Sequence, residues 1–181
     1  MDVQERRNLL FDIETTGLNP GNNRIICISA HDTGTAQTHV FHDQDEKQLI
    51  QDFINYTDKR GFTHVTAYNV HFDRRFVAVR ALKHRVHLKG FTQLSYEDPM
   101  EILAQLGYHY SMNDKDSLDH WAKHLLGREK QEKGNNVPEL YENGEIKRIK
   151  DYCRNDVEIL KELWELIDGH TEGNGFIQNT C

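Results

Sequence analysis

The sequence predicts an α/β or α+β domain: a sheet opened by a three-stranded antiparallel meander and layered with helices. The first third alternates short β-branched runs with turn residues. A further apolar run lies between two helical repeats, and the last third carries helical periodicity throughout.

The first strand is NLLFDI, over 8–13, and the turn-rich stretch TTGLNPGNN follows it. RIICISAH and TAQTHVFH come next at short separations, the pattern of a meander. Over 43–59 the period changes. Leu49, Ile50, Phe53, Ile54 and Thr57 recur at helical spacing, with acids concentrated early. HVTAYN reads as a fourth, buried strand, and 72–84 as a helix with arginines between its apolar positions. Residues 98–106 and 117–126 read as helices, the second capped by Ser117 and stopped by Gly127. A charged loop, GREKQEKGNNVP, precedes the longest helix, 145–167.

At 181 residues the expectation is a single domain over 1–170, with 171–181 a flexible tail. No apolar run is long enough to span a bilayer, and the start lacks the apolar core of a signal peptide. Cys27, Cys153 and Cys181 make neither a zinc spacing nor an even disulfide framework. These features point to an intracellular, cytoplasmic protein without membrane partners. The net charge of −7 argues at first against nucleic acid. Yet 74–89 holds six Lys/Arg and no acid, and part of the acidic excess fits a metal site balanced by cations.

Three clusters carry chemistry. Asp12 and Glu14 stand two apart at the end of a strand, so both project from one face. Asn69 and Asp73 lie where a strand runs into a helix, and Tyr152 and Asp156 are four apart on the final helix. Taken singly, each has a plain structural reading: acids reaching solvent, a helix cap, a Tyr–Asp hydrogen bond.

Taken together, FDIETTGL, AYNVHFDRRFV and YCRNDVEIL resemble in order and context the three motifs of the DEDD 3′-5′ exonuclease superfamily, which has a ribonuclease H-like fold. The tyrosine in the third motif resembles the DEDDy branch, which includes the proofreading domain of family B DNA polymerases. SLDHWAKHLLG also looks like that domain and its stand-alone relatives. The histidine branch would need His where Asp151 stands.

The resemblance implies an α/β fold, a mixed sheet in which parallel strands extend the antiparallel meander and helices flank it, and a two-metal-ion 3′-5′ exonuclease. Asp12, Glu14, Asp73 and Asp156 would hold two divalent ions, Mg²⁺ or Mn²⁺, and Tyr152 would orient the attacking water. Nucleoside 5′-monophosphates would leave the 3′ end of a single strand, DNA favoured over RNA. Thr15 and Leu18 would meet the terminal nucleotide, Asn69 would hydrogen-bond substrate, and Phe72 would pack near unstacked bases. For Leu18 and Phe72 core packing is an equal reading. The basic run at 74–89 tracks a phosphate backbone or forms a solvated helix face. Exoribonuclease activity, or a non-catalytic nucleic-acid-binding scaffold, are the alternatives. A polymerase, helicase or other repair protein is the kind of partner implied, for roles in DNA repair or proofreading.

His39, His42, His84 and His87 read as solvated. Cys153 reads as a core thiol facing away from the Tyr152–Asp156 side. Trp121 and Trp164 read as core residues on amphipathic helices.

Overall fold

A computed structural model describes residues 7–106, 117–128 and 136–171. Strands β1 (Asn8–Thr15), β2 (Ile25–Asp32) and β3 (Gln37–Phe41) form the antiparallel meander. Helix α1 (Glu46–Arg60) follows, its N-terminus capped by Asp45, whose side chain accepts the Lys47 N–H at 2.9 Å. Strand β4 (His64–Thr66) lies parallel to β1, and α2 (Val70–Lys83) leaves it directly. After a single 3₁₀ turn comes β5 (Ser95–Glu97), parallel to β4. Helices α3 (Pro99–Gln105), α4 (Leu118–Leu126), α5 (Val137–Glu142) and α6 (Ile146–Thr171) complete the chain. The sheet order is β3-β2-β1-β4-β5, a mixed α/β sheet with the antiparallel meander at one side and two parallel pairings at the other.

The alternation of β1 sorts its residues between two layers. Leu9, Phe11 and Ile13 enter the main core with Phe53 and Ile54 of α1 and Phe76 and Val77 of α2. On the other face, Ile26 and Cys27 of β2 meet Ile149, Tyr152 and Cys153 of α6. Helix α6 is pinned further along by Trp121 and Ala122 of α4 against Ile159 and Leu163. No described helix is long and apolar enough to cross a membrane.

Several boundaries differ from the sequence reading. The fourth strand stops at Thr66 rather than reaching Asn69, because Asn69 turns the chain at φ 61°, ψ 53° into α2. β5 carries no strand pattern of its own; it exists because β4 presents an unpaired edge. The loop expected to run to Pro138 ends earlier, since α5 begins at Val137 with Pro138 in its first turn, where a missing N–H costs nothing. The remainder of that loop, 129–135, and most of the expected tail, 172–181, lie outside the described residues.

Candidate active site

The face of β1 opposite Phe11 and Ile13 carries Asp12 and Glu14 toward α6. Asp12 is half-buried and Glu14 is buried, and a register shift just after Glu14 turns the chain away into the following loop. The Cys153 Sγ of α6 lies 3.5 Å from the Asp12 carbonyl oxygen and 3.7 Å from Asp12 Oδ2. This corrects the reading of Cys153 as facing away. Cys153 is three residues before Asp156, and on a helix that spacing is a shared side.

Asp73 comes from the first turn of α2 and is buried. Its carboxylate accepts the Ile13 N–H, yet burial first and the charge of Asp12 second push it well above the usual carboxylate range. Tyr152 and Asp156 are both buried on α6, and the Tyr152 hydroxyl donates to Asp156. Burial, followed by the charges of Asp156, Glu14 and Asp12, holds the phenol protonated far above its ordinary range. The five residues singled out in sequence therefore share one neighbourhood, drawn from β1, α2 and α6.

The Asp98 carboxylate was not anticipated. Oδ1 accepts the N–H groups of Asn69 and Met100, both at 3.0 Å, and Oδ2 accepts that of Val70 at 2.9 Å. Burial raises its pKa to about 6 against the pull of these amides. The signal available in sequence was an Asp-Pro pair opening a helix. Asn69 is exposed, and its side chain does not cap α2.

The loop after β1 is built as a projecting finger. Thr15 Oγ1 donates to the Gly17 carbonyl at 2.9 Å, and Leu18 is 83% exposed, so the core-packing reading of Leu18 is overturned. Phe72 takes the opposite course: it is half-buried, packs on the main core and tilts against Phe76 at 5.5 Å. The base of the finger is tied to α2, where Arg80 Nη1 donates to the Pro20 carbonyl and Lys83 Nζ to that of Gly21, both at 3.2 Å.

Arg80 is buried with Glu46 of α1, which also accepts the Ile25 N–H at 2.6 Å and bonds His84 Nε2 at 2.8 Å. Burial opposes ionisation of Glu46, but Arg80, the Ile25 amide and His84 together hold its carboxyl below the usual range. Two expectations are corrected here. Arg80 is not part of a solvated or phosphate-facing stripe, and His84 is not simply solvated.

The donor set fits divalent cations. One ligand atom each from Asp12, Glu14 and Cys153 lies within 4.8 Å of the others. Ser29, directly across the β1–β2 ladder from Asp12, is buried with an Oγ that has no hydrogen-bond partner. Asp73 beside Asp12 is negative charge that a cation would relieve. A separate cleft of about 660 Å³, lined in part by Arg7, His31, Lys161 and Trp164, adjoins the start of β1 rather than its acidic end.

A mixed sheet with an acidic first strand facing a long helix defines the ribonuclease H-like class of nuclease folds. A sequence profile of the RNase H superfamily matches residues 9–167, and the chain belongs to that superfamily. Over 165 residues it is 30% identical to an uncharacterized protein of Methanocaldococcus jannaschii, covering 87% of this chain and 91% of that one. The family B DNA polymerase of the hyperthermophilic archaeon Pyrobaculum calidifontis shares the fold, with a TM-score of 0.73 over 89% of this chain at 17% identity. The chain spans 24% of that polymerase's length. Nuclease chemistry on nucleic acid, assisted by divalent metal, is the activity class to which this family and acidic cluster point.

Proposed function

We propose that the chain is a divalent-metal-dependent 3′-5′ exonuclease acting on single-stranded ends, DNA favoured over RNA. One observation carries the reading: Asp12 and Glu14 lie side by side at the end of β1, the charge of Asp12 acts on Asp73 of α2, and the charges of both act on Tyr152, which Asp156 joins on α6. Asp12, Glu14, Asp73 and Asp156 would hold Mg²⁺ or Mn²⁺. When bound, the metal supplies Lewis acidity that eases deprotonation of water and offsets charge on the leaving 3′ oxygen.

The remaining work falls to the protein. The Tyr152 hydroxyl stays protonated, donates to Asp156 and keeps its oxygen lone pairs for an incoming water, so it orients the nucleophile rather than deprotonating it. Water oxygen attacks phosphorus, the P–O3′ bond breaks, and the departing 3′ oxygen takes a proton, leaving a nucleoside 5′-monophosphate. Leu18, exposed on its finger, and Thr15, whose hydroxyl braces the turn before it, would meet the terminal nucleotide. Asn69, exposed at the start of α2, is available to hydrogen-bond the strand. A polymerase, helicase or other repair protein fits as the partner that delivers such ends.

The deciding experiment is degradation of matched 3′- and 5′-labelled DNA and RNA oligonucleotides, with and without Mg²⁺ or Mn²⁺. Metal-dependent release of labelled mononucleotide from the 3′ end, faster for DNA, is the expected result. Preference for RNA would make the chain an exoribonuclease, and cleavage of a circular single strand would make it an endonuclease.

A further inference from the structure

Cys153 is a metal-ligating side chain beside the acidic site that this mechanism leaves unused. Its sulfur is buried, lies against Asp12, and shares a 4.8 Å neighbourhood with ligand atoms of Asp12 and Glu14. A hard ion gains nothing from sulfur, whereas Zn²⁺, Cd²⁺ and Co²⁺ bind thiolate strongly. Ser29, across the ladder from Asp12, adds a buried hydroxyl oxygen with no partner on the same face of the sheet.

We infer that Asp12, Glu14 and Cys153 form a mixed carboxylate–thiolate site that captures thiophilic divalent cations within the centre that otherwise takes Mg²⁺ or Mn²⁺. The inference rests on reading those carboxylates as a metal centre. On capture the thiol gives its proton to solvent as the sulfur–metal bond forms, and no electrons change hands. Asp12 is then shared between two donor sets, one all-oxygen and one containing sulfur. The consequence is regulation by metal identity: a thiophilic ion diverts Asp12 and stops the reaction that Mg²⁺ or Mn²⁺ supports.

The mechanism uses Tyr152 and Asp156 from α6 but not Cys153, so a cysteine variant separates the two donor sets. The test uses the full chain carrying Cys181→Ser, which leaves Cys27 and Cys153 as the only thiols. Cd²⁺ is titrated into metal-free protein, and the ultraviolet thiolate-to-cadmium charge-transfer band is followed. A band saturating at one equivalent is expected in this parent and in Cys27→Ser, and it should be absent in Cys153→Ser. Cd²⁺ affinity should fall about tenfold or more on losing the sulfur. The Mn²⁺-induced rise in melting temperature should persist in all three proteins.

Absence of the band in the parent overturns the inference, as does its survival in Cys153→Ser or its loss in Cys27→Ser. Cys153→Ala, checked by near-ultraviolet circular dichroism, serves if the serine variant does not fold. A protein that shows the band but degrades no oligonucleotide with Mn²⁺ would overturn the exonuclease reading and leave the sulfur site standing.

Discussion

Asp98 Oδ2 accepts the Val70 N–H at 2.9 Å, so the residue that caps α3 also holds the first turn of α2. Three residues further along α2 stands Asp73, whose position against Ile13 depends on where that turn begins. Asp98→Ala strands three backbone N–H groups, and an unsatisfied buried donor costs about 1–3 kcal/mol. The variant should lose on the order of 3 kcal/mol in urea unfolding and bind Mn²⁺ more weakly. Asp98→Asn, which keeps one acceptor oxygen, should fall between it and the parent. Unchanged Mn²⁺ affinity in a folded Asp98→Ala protein would remove Asp98 from the positioning of Asp73.

The pH dependence of stability follows from the same pair. Asp73 and Asp98 both have folded-state pKa values raised by burial, Asp98 to about 6. The folded state therefore holds protons that the unfolded chain has released by about pH 4, and stability falls as pH rises through the folded values. Glu46 and Asp32 run the other way: their depressed values give stability that is lost as pH falls below about 4. Metal-free protein should melt at progressively lower temperature from about pH 4 to beyond pH 6. The gap between parent and Asp98→Asn should narrow over that window, since asparagine does not titrate. A gap that stays constant would show that Asp98 is already ionised at the low end.

Divalent metal should offset this loss at neutral pH. Ions that bind the folded carboxylates and not the unfolded chain stabilise by about 2.7 kcal/mol at a hundredfold excess over the dissociation constant. Mn²⁺ should raise the melting temperature more at pH 7.5 than at pH 5, because protons compete with the ion for the raised carboxyl of Asp73 as pH falls. EDTA should abolish oligonucleotide degradation, and added Mn²⁺ should restore it. Undiminished cleavage in chelator would rule out the carboxylate centre.

The finger that carries Leu18 depends on a buried ion pair. Arg80 joins Glu46 to the Pro20 carbonyl, and breaking a buried pair by removing one partner costs about 3–5 kcal/mol. Glu46→Gln should sit toward the lower end because the amide keeps part of the hydrogen bonding. If the finger grips the terminal nucleotide, this variant should raise KM for a single-stranded oligonucleotide while kcat changes little. A drop in kcat at constant KM would place the pair's effect on the metal centre instead.

The meander and the long helix were legible because local pattern and tertiary demand agree there. NLLFDI alternates between two layers, and the apolar stripe of α6 meets both the sheet and α4. Elements created by their neighbours were not legible. SYE becomes a strand only against the edge of β4, and Asn69 ends β4 by turning left-handed, which no local periodicity announces. At the site, Asp12, Glu14, Asp73, Tyr152 and Asp156 were recognised as an ordered set of motifs. Asp98 and Arg80 act through backbone and buried contacts between distant segments, and sequence records those poorly.

Tyr152 offers the sharpest separation between positioning and metal binding. Its hydroxyl donates to Asp156 and remains protonated, with Glu14 and Asp12 nearby. Tyr152→Phe keeps the ring against Ile26 and Ile149 and removes only the hydroxyl. Turnover should fall by about 10- to 1000-fold, the scale of losing one water-positioning contact, with substrate and Mn²⁺ affinity nearly unchanged. The lost hydroxyl also takes a donor from Asp156, so stability should drop by about 1 kcal/mol. Asp156→Asn removes a proposed ligand and should lower both metal affinity and rate. The measurement is single-turnover degradation of a 3′-labelled oligonucleotide at saturating Mn²⁺, comparing both variants with the parent. If Tyr152→Phe cleaves at the parental rate, the hydroxyl serves the packing of α6 and the attacking water is oriented by another group.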